Sequence, residues 1–157
     1  MHLDFVPSSI RKLKYLRYLN LSLNRFLEKL PNSISTLQNL QTLTLSNCWR
    51  LEKLSRDIKN LVNLRYLEID QCPALTYMPR ELGQLTNLRT LSTFVVHSGS
   101  HFGGLQELNG LQNLRGELAI KNLGHGKSVT SKYKAANLKE KEHFHTLVLY
   151  VDCRRCQ

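Results

Sequence analysis

The sequence predicts an α/β solenoid of about six stacked units, each giving one short strand to a parallel β-sheet and an irregular or 3₁₀ return. Three observations carry this prediction. Residues 37–60 and 61–84 overlay, with Leu37/Leu61, Leu40/Leu64, Leu43/Leu67, Leu45/Ile69, Cys48/Cys72, Leu51/Leu75, Leu54/Met78 and Ile58/Leu82 in matching places. Within a unit, Leu67 and Ile69 alternate with polar neighbours, which is the period-2 pattern of a half-buried strand. The next segment, Cys72 to Pro79, sets apolar residues three apart, as a turn or 3₁₀ piece returning the chain requires.

The spacing of Leu37, Leu61 and Leu85 is 24 residues. That period, with Leu-x-x-Leu-x-Leu-x-x-Asn/Cys, is the pattern of leucine-rich repeats. The expected architecture is a leucine-rich-repeat horseshoe with a concave parallel β-sheet and an irregular, 3₁₀ convex side. One unit cannot bury its own apolar side, so its neighbours must supply the core. Asn24, Cys48 and Cys72 fall at the turn position and read as buried turn residues, not as nucleophiles or metal ligands.

The units follow in order over one domain, residues 1–157. Residues 1–12 match the back half of a preceding repeat: Leu3, Val6, Pro7 and Ile10 correspond to Leu27, Leu30, Pro31 and Ile34. The chain is therefore expected to be a piece of a longer array. Repeats lie near 13–36, 37–60 and 61–84, with Ser55 where the others have Pro. The fourth, 85–110, departs at Ser92-Thr-Phe94-Val-Val96 and continues into a Gly/Ser/His loop, His97 to Gly104. The fifth, 111–143, carries an extra residue around Gly116, which reads as a β-bulge. A polar insertion at 124–142 has good helix formers from Ala135 to Glu142, where a short helix is expected. The sixth unit occupies 144–157. Strands are expected near Tyr18–Leu21, Thr42–Leu45, Tyr66–Ile69, Thr90–Ser92, Leu118–Ile120 and Thr146–Leu149, all on one concave face.

Composition narrows the function classes. With 41% hydrophobic and 22% charged residues, the chain has ordinary globular proportions. No apolar run reaches the roughly 18 residues of a membrane span, so no membrane partner is expected. The start, Met1 to Leu13, has no apolar signal-peptide core, and a disulfide framework is not expected for its four cysteines. These features predict a reducing, cytoplasmic setting. The net charge of +10 permits weak contact with anionic partners, but no nucleic-acid-binding motif accompanies it.

Motifs for catalysis are weak. Gly126-Lys127-Ser128 resembles the end of a phosphate-binding loop, yet Lys121 stands where the first glycine belongs. Cys153-Arg-Arg-Cys156 has zinc-knuckle spacing with His143 and His145 nearby, but these histidines are expected to point outward on either side of an inward Phe144. Neither a catalytic triad nor a cofactor fingerprint is present. No enzymatic activity, cofactor or metal is expected.

The outward strand positions remain. Stacked strands place them in columns: Arg17, Gln41, Arg65, Arg89; Tyr18, Thr42, Tyr66, Thr90; Asn20, Thr44, Glu68, Ser92; and Ser22, Ser46, Asp70, Phe94. Arg and Tyr are enriched at protein interfaces. Arg17, Tyr18, Arg65, Tyr66, Glu68, Asp70 and Arg89 are the candidate partner-binding residues. Glu68 and Asp70 are expected to relieve the repulsion between Arg65 and Arg89. The same polar columns would also serve simply to keep the sheet soluble.

The irregular segments resemble one family in particular. Asn87-Leu-Arg-Thr-Leu-Ser-Thr-Phe-Val-Val96, Gly104 to Ile120 (GLQELNGLQNLRGELAI) and Ala136 to His143 (ANLKEKEH) are similar to the repeat region of plant nucleotide-binding leucine-rich-repeat disease-resistance proteins of the coiled-coil class. The resemblance implies a non-enzymatic recognition module of an intracellular immune receptor. Its partners would be a pathogen effector or a guarded host protein, and it would restrain a nucleotide-binding switch absent from this chain. A general leucine-rich-repeat scaffold for a host signalling protein is the alternative.

Overall fold

The computed structural model describes residues 2–99, 101–124 and 127–151. Strand β1 (Tyr18–Asn20) pairs in parallel with β2 (Thr42–Thr44), β2 with β3 (Tyr66–Glu68), and β3 with β4 (Thr90–Leu91). The register sets Leu19 beside Leu43, Leu43 beside Leu67, and Leu67 beside Leu91. Leu43 and Leu67 are fully buried, as the alternating pattern requires.

The returns are 3₁₀ turns, and the sequence shows why. At Ser8–Lys12 and Asn32–Thr36 a preceding Pro with extended ψ starts the turn. At each end, the amide of Leu13 or Leu37 donates to the carbonyl of Ile10 or Ile34. In the turn Arg56–Asn60, Ser55 stands in for Pro, and its hydroxyl accepts from the Asp57 amide at 3.3 Å. Serine thus caps what proline would have pre-set. The fourth turn is cut to Leu82–Gln84 because Glu81 is left-handed, at φ 63. There the Glu107 carboxylate accepts from the amides of Glu81 and Gly83, each at 2.9 Å.

Side-chain amides tie one unit to the next. Asn39, Asn63, Asn87 and Asn113 each donate Nδ2 to a carbonyl of the preceding unit, those of Lys14, Gln38, Val62 and Thr86, at 2.7–2.8 Å. Gly110 faces Gly83 so closely that a β-carbon on it would collide with the Gly83 carbonyl. Gly110 is the last residue of helix α1 (Glu107–Gly110).

The expectation of a single sheet needs correction. A second, three-stranded parallel sheet joins β5 (Thr93–Val95), β6 (Gly116–Leu123) and β7 (Phe144–Val151). The break falls at Ser92. In the earlier rungs the Leu21 and Leu45 amides donate to the carbonyls of Thr44 and Glu68. At the next rung the Ile69 amide instead finds the Ser92 hydroxyl, at 2.8 Å. The Ser92 carbonyl has turned to accept from Ala119, at 3.0 Å. The reason is parity. Leu67 and Ile69 are two residues apart, whereas Leu91 and Phe94 are three apart. Only an irregular residue between them lets both point inward.

Phe94 is therefore not an outward residue. It is fully buried, and Val95 and Val96 are buried beside it. The bulge expected near Gly116 is present: the register shifts between Gly116 and Glu117, and Gly116 takes φ 86, a conformation that favours glycine. The helix in the insertion lies earlier than expected. Helix α2 spans Lys127–Ala135, and a 3₁₀ turn occupies Leu138–Glu140. Asn137 between them is left-handed (φ 51), so no helix can run from Ala135 to Glu142. Ala136 is completely buried, which its small side chain permits at this close approach.

Candidate functional site

The candidate site is built on the outward side chains of the first sheet. Backbone pairing fixes the arginine column: the Arg17 carbonyl accepts from the amides of Gln41 and Thr42, at 2.8 and 3.0 Å. The Gln41 carbonyl takes Arg65 and Tyr66 in the same way, and the Arg65 carbonyl takes Arg89 and Thr90. The Arg115 amide then donates to the Arg89 carbonyl at 2.9 Å, which adds Arg115 to the series. Arg17, Arg65 and Tyr18 are exposed, while Tyr66, Glu68 and Arg89 are half-buried. Tyr18, Thr42, Tyr66 and Thr90 share one register line, so the two tyrosines lie two rungs apart across Thr42.

Two expectations about this face are corrected. Thr44, in the column with Asn20 and Glu68, is only 6% exposed, and its hydroxyl has no partner. It contributes no contact surface. Glu68 and Asp70 form no ion pair with Arg65 or Arg89; among the described residues the one ion pair joins Lys59 and Glu81. Asp70 instead accepts from the Thr93 hydroxyl at 3.4 Å.

The two acids face a cleft of about 350 Å³ near the sheet break, lined also by Ser92, Arg115, Glu117 and His145. Three carboxylates there oppose one guanidinium and one imidazole. The face is thus basic where the strands enter and acidic where they leave. Arg115, Glu117 and His145 were missed because a 24-residue offset does not reach them. Arg115 stands 26 residues after Arg89.

The comparisons with known proteins bear on this geometry. A family model described as a leucine-rich repeat region matches residues 4–154. The chain belongs to this leucine-rich repeat family. Among solved structures, the leucine-rich repeat domain of the type III effector XopL is similar at 25% identity, with a TM-score of 0.67. The match covers 95% of this chain but only 49% of that one, so this chain spans about half the length of that relative. No curated protein gives a significant match.

The turn residues of these leucine-rich repeats have a packing role. Asn24 Nδ2 donates to the Leu21 carbonyl at 2.8 Å, and the thiols of Cys48 and Cys72 donate to the carbonyls of Leu21 and Leu45 at 3.2 Å. Burial pushes the Cys48 thiol above its usual range and the Cys72 thiol up to about 11. Both remain protonated near neutral pH, unsuited to nucleophilic attack or metal binding. Among the described residues no His/Cys/Asp/Glu group is placed to hold a metal, and no helix is long and apolar enough to cross a membrane. Cys153, Cys156 and Gly126 lie outside the described residues. Leucine-rich repeat domains are in general non-catalytic protein-interaction modules, and nothing in the described chain assembles a catalytic group.

Proposed function

We propose that this chain is the recognition module of a cytoplasmic plant immune receptor of the coiled-coil, nucleotide-binding leucine-rich-repeat class. Its strand face, the concave face of a horseshoe, binds a protein through Arg17, Tyr18, Arg65, Tyr66, Glu68, Asp70 and Arg89. The partner is a pathogen effector or a guarded host protein, and the same repeats restrain a nucleotide-binding switch encoded elsewhere in the gene. The observation that carries this reading is the registered arginine ladder flanked by exposed tyrosine, since aromatic and Arg side chains dominate binding energy at interfaces. The split charge of the face suits a partner with acidic groups opposite the ladder and a basic group opposite Glu68 and Asp70. The immune role itself rests on the resemblance of the segments from Asn87 to Ile120 and from Ala136 to His143.

Two measurements test the two parts. Sequencing the transcript upstream should reveal a nucleotide-binding domain; an independent start without one removes the receptor reading. Binding to that domain, or to an identified effector, should be abolished by R65E/R89E and change less than about twofold in K132E/K134E, where the altered charge lies off the strand face. Circular dichroism checks that both double variants fold. Equal loss in both would reduce the interaction to non-specific charge and defeat the face assignment.

A further inference from the structure

A second surface lies at the turns that leave the first two strands, away from the strand face. After the turn residues Asn24, half-buried, and Cys48, buried, the next two residues of each unit point outward: Arg25 and Phe26, then Trp49 and Arg50. Because the spacing is 24, Arg25 stacks beside Trp49 and Phe26 beside Arg50. The contacts follow that order. The Arg25 guanidinium sits 4.5 Å from the Trp49 ring centre, and the Arg50 guanidinium 5.7 Å from that of Phe26. Cation and aromatic thus exchange places between the two rungs, in a two-by-two checkerboard, with the His2 ring edge-on to Phe26 at 6.3 Å on its far side. The third unit has Pro73 and Ala74 at these positions and ends the pattern.

Solubility alone does not call for this arrangement. Trp49 is 50% exposed and Phe26 is comparably open, although large aromatics are favoured inside. Each guanidinium lies over a ring, and among the described residues neither arginine has a carboxylate partner. An arginine already ordered loses less freedom when it binds a carboxylate in a bidentate way.

Leu23 supplies an independent observation. It stands two residues before Arg25, is 56% exposed, and adopts φ 67. The equivalent positions hold Asn47 and Gln71, at φ 63 and 53. The turn sets this conformation in all three units, and Asn and Gln meet it with polar side chains, so the leucine is apolar surface that the turn itself does not require.

We infer that Leu23, Arg25, Phe26, Trp49 and Arg50 form a docking surface for an acidic protein segment, whose carboxylates meet the two guanidinium edges and whose apolar side chains cover Leu23 and the rings. Charge decides against a polyphosphate. The exposed acids Glu28 and Glu52 follow on the same two rungs, each with an exposed lysine after it, Lys29 and Lys53, so the charge there alternates in sign and forms no extended positive track. The positive footprint is two rungs wide, enough for a short acidic stretch.

The test uses the full chain and a fluorescently labelled peptide repeating Glu-Asp-Leu-Phe. An uncharged Gln-Asn-Leu-Phe repeat, single-stranded oligo-dT and phosphatidylserine vesicles are measured beside it. The acidic peptide should bind, and the uncharged one should not. W49A and R25E/R50E should each weaken binding by about tenfold or more, while R11E, a single charge reversal on a distant turn, should leave it within about twofold. L23N is the second arm: it should raise the melting temperature by relieving strain and yet weaken peptide binding, a combination that a packing role cannot produce. Equal binding of the uncharged peptide, equal loss in R11E, or stronger capture of oligo-dT or vesicles that depends on the same residues would overturn the proposal.

Discussion

From β1 to β4 each rung copies its neighbour every 24 residues, as Tyr18, Thr42, Tyr66 and Thr90 show. Beyond Ser92 the pairing offset becomes 26, with Thr93 opposite Ala119, and then grows again toward β7. The two regions use the same kind of core, Leu43 and Leu67 in one, Phe94, Leu118 and Ile120 in the other. They differ in what sets the faces. In the first sheet a fixed period and the hydrophobic pattern agree. In the second they conflict, and the cost of exposing Phe94 exceeds the cost of one irregular residue. An aromatic side chain's burial is worth several times a single backbone hydrogen bond, and Ser92 recovers even that bond through its hydroxyl.

Core truncation should break the comparison most forcefully. Phe94→Ala is expected to cost about 3–5 kcal/mol and Leu67→Ala about 2–5, because both are fully buried. Leu147→Ala in β7, where the side chain is 41% exposed, should cost less than about 1 kcal/mol. Urea unfolding of the three variants decides it. A cheap Phe94→Ala would mean that the aromatic does not hold the sheet junction.

Hydrogen bonding at the junction gives the next largest effect. Ser92→Ala leaves the Ile69 amide without its acceptor and should cost about 1–3 kcal/mol. Thr44→Val removes a buried hydroxyl that has no partner while keeping the side-chain shape, so it should be neutral or stabilising. If Thr44→Val proved as damaging as Ser92→Ala, the buried hydroxyl would need a partner of its own.

The smallest effect separates the regions by pH. The folded state holds the Cys72 proton up to about 11, whereas an exposed thiol releases it near 9.0. Stabilisation from this thiol is therefore complete below about pH 9 and is lost as pH rises toward 11. Cys48 shifts in the same direction. Urea midpoints should fall across this range, and Cys72→Ala should flatten the decline. Hydrogen exchange should place the loosening in β2 and β3 before β6. A uniform loss across both sheets would remove the thiols as its source.

The sequence alone determined the leucine-rich repeat, its parallel strands, the buried turn cysteines and the Gly116 bulge. All of these depend on local spacing, and spacing is written in the chain. It also contained the arginine ladder as far as Arg89 and the pairing of Arg25 with Trp49, since a constant offset translates directly into rungs. Only the tertiary structure decided the rest. It divided the sheet at Ser92, because the parity of Leu91 and Phe94 matters only once both must enter one core. It sealed Thr44 and turned Glu68 and Asp70 toward Arg115, Glu117 and His145, residues that lie on another period. It moved the helix ahead of Ala136, because a buried alanine and a left-handed Asn137 outweigh the helix propensity of the residues that follow. Propensity and period act along the chain, whereas burial is settled between units, and where they disagreed burial prevailed.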